Sequence, residues 1–493
     1  MSNLLKQKNK TIYKLFVLIV FSIIFFLFYL GIQKYNANKI NYFSFSVISN
    51  FLIFFALRKN AIFFETFFCL LLWLGFWFKL TCTIVLTDGV FREGVGTFDY
   101  SDQSFDKTLI VSQVGILSFI LSGFFREHFL FKYPKKLQFQ SFNFNFFSLG
   151  RNYVWFIFIV LFILISFFNF YFKIYQKGLL PVYDLNFLVS GTFKWLLLFG
   201  LSAISANLIF YEFNFYKKFF VISAIIIFIE TFFTSFSMLS RGMIFNAFAL
   251  LYGIYKFSNK VNIPNNLSYY IKSLILILFL FYISVSSVNY IRANYFYVGK
   301  SVNFVKDKFK ETKKSDEIKK YATSKEINSE ILYLIVNRWV GIDGVMSVIS
   351  KKELLNTSFL MSSFSERPEK DIPTFYELTF ELEENQISSE LYENVKGNTL
   401  PGIIAFLYYS GSYIFLFLAI FLLSIIASYF EFISFKLSFG NLILSSLIGQ
   451  VIAFRFIHFG YLPHQTYLLF STIILTILIT YILGLIFKNI KLK

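Results

Sequence analysis

The sequence predicts an all-α polytopic membrane protein of about twelve transmembrane helices, with one large polar insert kept on a single side of the membrane. Three observations predict this. Of 493 residues, 57% are apolar, 22% aromatic and only 15% charged, a balance that a water-soluble core of this length neither needs nor tolerates. Apolar runs recur along nearly the whole chain at the length of about 20 residues that carries a helix across roughly 30 Å of hydrocarbon. One stretch, residues 291–400, interrupts that succession with charge and proline.

The runs fall at 13–32, 42–57, 62–80, 109–127, 152–173, 189–211, 218–238, 242–256, 269–290, 401–430, 441–460 and 466–487. They divide the chain into membrane segments at 1–290 and 401–493 around the insert at 291–400. The first run follows a basic start but precedes no small-x-small cleavage site, so it is expected to stay as a helix rather than be removed as a signal peptide. The run 401–430 would be about 45 Å long as one helix, longer than the hydrocarbon, and Ser410, Gly411 and Ser412 are where it is expected to bend. Cys69 and Cys82 would lie about 20 Å apart on one helix, too far for a disulfide.

Charge gives the expected sidedness. The net charge of +18 does not point to nucleic acid, because the cations sit in short loops beside the runs rather than in one patch. Lys6, Lys8, Lys10, Lys14, Arg58, Lys59, Arg126, Lys132, Lys135, Lys136, Arg151, Lys217, Lys218, Lys256, Lys260, Lys488, Lys491 and Lys493 all fall on one side if the runs number twelve. That side is expected to be the cytoplasm, with both termini inside. The loop at 87–106 carries Asp88, Glu93, Asp99, Asp102 and Asp106 against Arg92, as an outer loop would.

The insert has internal organisation. Residues 306–325 are a dense mixed-charge run, expected as a solvated helix or mobile arm. Over 326–352, Ile331, Ile335, Trp339, Ile342 and Met346 recur at helical spacing, and Arg338 and Asp343 argue against burial in lipid, so an amphipathic helix along the outer membrane surface is expected. Residues 366–393 are acidic and lead into the turn at Gly397, Asn398, Pro401 and Gly402.

Four arginines fall at or near the outer side: Arg241, Arg292, Arg338 and Arg455. A guanidinium is permanently charged and presents a planar fork of donors suited to phosphate or diphosphate. Arg241 lies in the hairpin Ser240-Arg241-Gly242, at the mouth of the bundle; snorkelling to hold the helix end would also explain it. Arg455 precedes His458 by three residues on one helical face, and structural pairing competes with a ligand role. His458 and His464 flank a loop that also holds Tyr461, and each is a candidate general base. In 337–344, Arg338, Trp339 and Asp343 are accompanied by Gly341 and Gly344, and a salt bridge between Arg338 and Asp343 would explain both charges without a ligand. No metal-binding or phosphate-cradling motif occurs, so a mechanism without metal or cofactor is expected.

The layout, together with Ser240-Arg241-Gly242, Asn337-Arg338-Trp339-Val340-Gly341 and Thr399-Leu400-Pro401-Gly402, resembles the bacterial O-antigen polymerases of the Wzy type, the oligosaccharide repeat unit polymerases. The resemblance covers the chain in architecture and only short stretches in residues. It implies a GT-C-like membrane glycosyltransferase of the bacterial inner membrane, working at the periplasmic face. Its donor and acceptor would be glycans linked to undecaprenyl diphosphate, with membrane lipid around them and a flippase and chain-length regulator as possible partners; residues 366–393 are a conceivable contact for the regulator. It carries an arginine role to Arg241 and Arg338 by their matching segments, and to Arg292; the base that such a reaction needs matches no family motif, and His464, His458 and Asp343, in that order, are the candidates from the residues themselves, with Trp339, Tyr461 and Arg455 as expected substrate contacts. Related O-antigen ligases use a histidine in the large outer loop, and none occurs in 291–400. A flippase or transporter would commonly show two related halves, which are not evident; Glu230 is the clearest mid-membrane charge.

Overall fold

In a computed structural model of the chain, every regular element among the described residues is helical. The structure describes residues 2–89, 91, 95–135, 145–177, 185–215, 220–260, 339–366, 375–381, 400–459 and 463–489, with isolated positions in 275–291 and at 336. Among the described residues seven helices are long and apolar enough to cross a membrane: Lys39–Leu57, Phe63–Thr87, Asp102–Leu130, Gly150–Phe172, Leu188–Phe213, Tyr413–Leu437 and Thr466–Leu485. Three shorter apolar helices, Leu18–Lys34, Ile222–Ser237 and Leu442–Ile457, also match expected runs. The run 242–256 is helical but not among these, and 269–290 lies outside the described residues apart from isolated positions. The chain forms two compact units.

Unit 1 comprises Met1–Tyr133, Leu332–Tyr429 and Ile452–Leu468. Its first elements are α1 (Ser2–Lys34), α2 (Lys39–Leu57), α3 (Phe63–Trp73), α4 (Lys79–Thr87) and α5 (Asp102–Phe125). A π-turn, Leu74–Phe78, joins α3 to α4 without breaking the rod, and a second, Arg126–Leu130, ends α5. Polar side chains mark the starts, where helical N–H groups lack partners. Asn38 Oδ1 accepts from Ile40 N at 2.9 Å, and Ser101 Oγ accepts from Ser104 N at 3.3 Å. Glu65 Oε2 accepts from Ile62 N at 3.1 Å, closing the first turn of α3. Phe64, Phe68, Phe119 and Phe456 pack edge to face between the helices, with Phe68 and Phe119 rings 4.8 Å apart.

Unit 2 comprises Pro134–Ile331, Phe430–Val451 and Leu469–Lys493. It holds α6 (Asn145–Phe172), α7 (Phe187–Trp195), a π-turn Leu196–Gly200, α8 (Leu201–Phe215), α9 (Phe220–Ser237) and α10 (Ile244–Lys260). Small residues let helices approach closely, the means available where lipid removes a hydrophobic drive between them. A Cβ on Gly253 would stand 2.8 Å from Ile443 Cα. Buried amides tie the rods. Asn441 caps its helix through Ile443 N and Leu444 N at 3.0 Å each, and donates to Asn207 Oδ1 at 3.0 Å. Glu230 is fully buried among hydroxyls, with Ser202 Oγ donating at 3.2 Å.

The remaining elements, in chain order, are α11 (Ile342–Ser350), α12 (Thr357–Phe364), α13 (Gly402–Leu407), α14 (Tyr413–Leu437), α15 (Leu442–Ile457) and α16 (Pro463–Asn489). The bend expected at 410–412 is a full break: a 3-10 turn, Tyr408–Ser410, ends at Gly411 with φ 69°, a left-handed conformation that suits glycine. The expected surface helix over 326–352 is corrected in its described part. Ile342 to Ile349 are buried throughout, and α11 packs on α5, on α13 and on the π-turn 74–78. The face that looked polar consists of Asp343, Gly344 and Ser347, two small residues and one paired acid, so it packs inward rather than facing water.

Candidate functional site

Within unit 1, three separate segments converge: 339–350, 401–411 and the end of α15. Glycines make this possible. A Cβ on Gly75 would stand 2.1 Å from the Val340 carbonyl oxygen, and one on Gly341 would stand 2.4 Å from the Gly75 oxygen. A Cβ on Gly344 would lie 2.3 Å from the Pro401 oxygen, and one on Gly402, at φ +73°, 2.9 Å from the Ile457 oxygen. Backbone therefore meets backbone at each junction. Gly75 lies on the order of 15 Å along the rod from its end at Thr87, so the segment reaches well into the helical body.

Non-helical backbone at such a depth needs every polar group satisfied by protein. Lys79 does this for the strand entering α11. Its Nζ, on a side chain with 0% exposure, donates to Trp339 O at 3.0 Å and pairs with Asp343 Oδ2 at 3.0 Å. The other Asp343 oxygen accepts from Gly341 N at 3.2 Å. Asp343 pairs with Lys79; Arg338, the partner that would have explained its charge without a ligand, lies outside the described residues. With both carboxylate oxygens held, Asp343 acts here as an anchor for the N-terminus of α11.

At the end of α15, Arg455 Nε donates to Thr466 Oγ1 at 2.8 Å, tying α15 to α16 across the intervening hairpin. His458 stacks on the Phe454 ring at 4.0 Å and meets the Phe454 carbonyl oxygen at 2.8 Å through Nδ1. A carbonyl oxygen can only accept, so Nδ1 carries the proton and Nε2 is the basic nitrogen of the neutral ring. The Phe406 and Phe459 rings, 5.0 Å apart, pack α13 against this corner. Tyr461 lies outside the described residues; His464 is the second residue of α16, its side chain not described.

Arg241 belongs to unit 2, where it opens a short 3-10 turn, Arg241–Met243; its side chain is not described. The hairpin before it is built rather than loose. Ser240 N donates to Ser235 O at 3.0 Å, Lys177 N to Met238 O at 2.9 Å, and Asn169 Nδ2 to Ser237 O at 3.0 Å and Ser237 Oγ at 2.8 Å. Met238 and Met243 are buried with Leu197 beneath it. Arg292 lies outside the described residues. The structure thus brings Trp339, Asp343, Arg455 and His458 into one unit and sets Arg241 on the other.

Two buried ion-pair features escaped the sequence. Lys79 was expected at the end of the run 62–80; the helix continues to Thr87, which puts the lysine inside it and requires a partner. Arg58 and Arg126, read as topology signals, belong to a network inside unit 1. Arg126 holds Glu65, and Arg58 bridges Glu65 at 2.6 Å and Glu127 at 3.0 Å. Among the described residues no group of three His, Cys, Asp or Glu is placed to hold a metal ion. Compared with family models, curated proteins and solved structures, the chain finds no match in any of the three.

Proposed function

We propose that the chain is a membrane glycosyltransferase that polymerises lipid-diphosphate-linked oligosaccharide repeat units at the periplasmic face of a bacterial inner membrane. The observation that carries this reading is the convergence of 339–350, 401–411 and the end of α15, segments that include Trp339-Val340-Gly341 and Pro401-Gly402, the described parts of two of the stretches resembling the O-antigen polymerases. About twelve spans with both termini cytoplasmic and the large insert outside complete the proposed topology.

In the proposed reaction an acceptor sugar hydroxyl attacks the anomeric carbon of the growing glycan. The bond from that carbon to the lipid diphosphate breaks, the diphosphate leaves with the electron pair, and the hydroxyl proton passes to a base. Arg241, Arg338 and Arg292 would stabilise the charge developing on the departing diphosphate. His464 and His458 are the candidate bases, with Nε2 of His458 already the proton-accepting nitrogen. Trp339, Tyr461 and Arg455 would line the sugars. The test is deletion of the gene in its host and gel analysis of surface glycolipid. Loss of the long ladder with retention of core plus one repeat unit is expected. Core alone with polymer left on the lipid carrier would show a ligase, and single units trapped on the cytoplasmic side a flippase.

A further inference from the structure

We propose that Lys79 is a positioning residue for the transfer site, fixing the register of the re-entrant segment through the Trp339 carbonyl and the Asp343 carboxylate; this rests on the transferase reading above. The segment 339–344 contacts the π-turn 74–78 and Pro401 through backbone, at Gly75, Gly341 and Gly344. Such contacts are steeply distance-dependent but carry no directional chemistry of their own. Lys79 supplies it: one ammonium holds an oxygen on each side of Gly341, and Asp343 returns a bond to the Gly341 N–H.

A merely structural pair predicts something different. Replacing both members of a buried ion pair by apolar residues of similar size is often neutral or stabilising, whereas register and orientation are what such pairs can specify. Lys79→Met with Asp343→Leu therefore separates stability from placement. In the full-length protein this double variant is expected to insert, at an abundance lowered only by the lost partners of Trp339 O and Gly341 N, and its polymer is read per inserted molecule. Amide exchange at Gly341 and the first turn of α11 should rise about tenfold or more, and polymer formation in a deletion host should fall about tenfold or more, since a misplacement of 1 Å can cost that much. Wild-type polymer formation in the double variant would overturn the proposal, as would unchanged amide exchange. Should the double variant fail to accumulate, Asp343→Asn decides, because it keeps the shape and the acceptor for Gly341 N–H. A loss of polymer at unchanged abundance supports positioning, and wild-type polymer overturns it. If the wild-type chain itself makes no polymer, the transferase reading fails, while the exchange measurement still tells whether Lys79 holds the segment.

Discussion

Arg126 grips Glu65 with two nitrogens, Nε on Oε1 at 3.0 Å and Nη2 on Oε2 at 2.7 Å, where neither side chain is more than 1% exposed. The same guanidinium donates to Asn60 O at 3.1 Å and Phe131 O at 3.0 Å, so it closes the turn before α3 and the end of α5 together. Removing Arg126 leaves Glu65 with Arg58 as its remaining cation at 2.6 Å, so its buried charge is only partly compensated, at a cost of up to about 3–5 kcal/mol. Arg126→Met is therefore expected to lose most of the folded protein, measured as the fraction surviving heating in detergent. Arg126→Met with Glu65→Leu should recover much of it. A stable single variant would show that Arg58, 2.6 Å from Glu65, is enough to hold its charge.

Two glycines of the loop between α4 and α5 make a controlled comparison. Gly89 and Gly96 both have positive φ, 85° and 62°, so alanine strains the backbone at each. Nothing lies within 4 Å of a Cβ on Gly89, whereas one on Gly96 would stand 2.0 Å from the Phe380 oxygen. Gly89→Ala should cost about 1 kcal/mol, and Gly96→Ala should add about 1–3 kcal/mol of overpacking and lift the loop from Phe380. Protease sensitivity of the loop reads the difference; equal sensitivity would show that Phe380 yields.

These cases show what was legible in the sequence and why. Apolar runs located the rods because crossing hydrocarbon demands length and composition, and ten of the expected runs recur as apolar helices. The break at Gly411 was legible because glycine is the residue that adopts its φ. Pairing was not legible. Lys79 and Asp343 are far apart in sequence, and Asp343 sits five residues from the more obvious partner Arg338. The burial of α11 was hidden because a face of glycine and serine reads as polar by residue type but packs like an apolar one.

Asp99 gives a pH prediction for the same loop. The Ser101 backbone N–H at 3.0 Å, then the Ser104 and Ser101 hydroxyls, hold its carboxyl below the usual carboxylate range. A lowered value in the folded state means the contribution is present above the ordinary carboxylate value and is lost as pH falls through the folded one. Protection of the Ser101 amide, its exchange relative to an unstructured amide at the same pH, should therefore stay constant from neutral pH down to about pH 5 and fall only in stronger acid. Asp99→Asn should remove that acid limb. A transition near neutral pH would assign the response to another group.

His458→Asn separates the ring's two roles. The asparagine Nδ2 can replace the Nδ1 donor to the Phe454 carbonyl, keeping the turn after α15, but it supplies no base. If His458 accepts the acceptor proton, polymer formation falls about 100-fold or more at unchanged abundance. A full ladder would leave His464 as the candidate.

Arg241 and Asn169 make the complementary pair on unit 2. The hairpin that presents Arg241 is held by Asn169, which also accepts from Tyr175 N at 2.7 Å and has Tyr175 O at 3.0 Å, so one buried amide accepts once and shares its two N–H hydrogens among Tyr175 O, Ser237 O and Ser237 Oγ. Losing it leaves those groups buried without partners, at about 1–3 kcal/mol for each uncompensated one. Asn169→Leu should therefore reduce the amount of inserted protein. The described hydrogen bonds that shape the hairpin backbone are made by Ser235, Ser237, Met238, Ser240, Lys177 and Asn169, so Arg241→Ala should insert at wild-type abundance and yet abolish polymer formation, because a guanidinium absent from the leaving diphosphate cannot be replaced by a methyl group. Blotting of membranes and gel analysis of glycolipid read the two effects separately. Polymer of normal length from Arg241→Ala would take this arginine out of the reaction and leave Arg338 and Arg292 to account for the diphosphate.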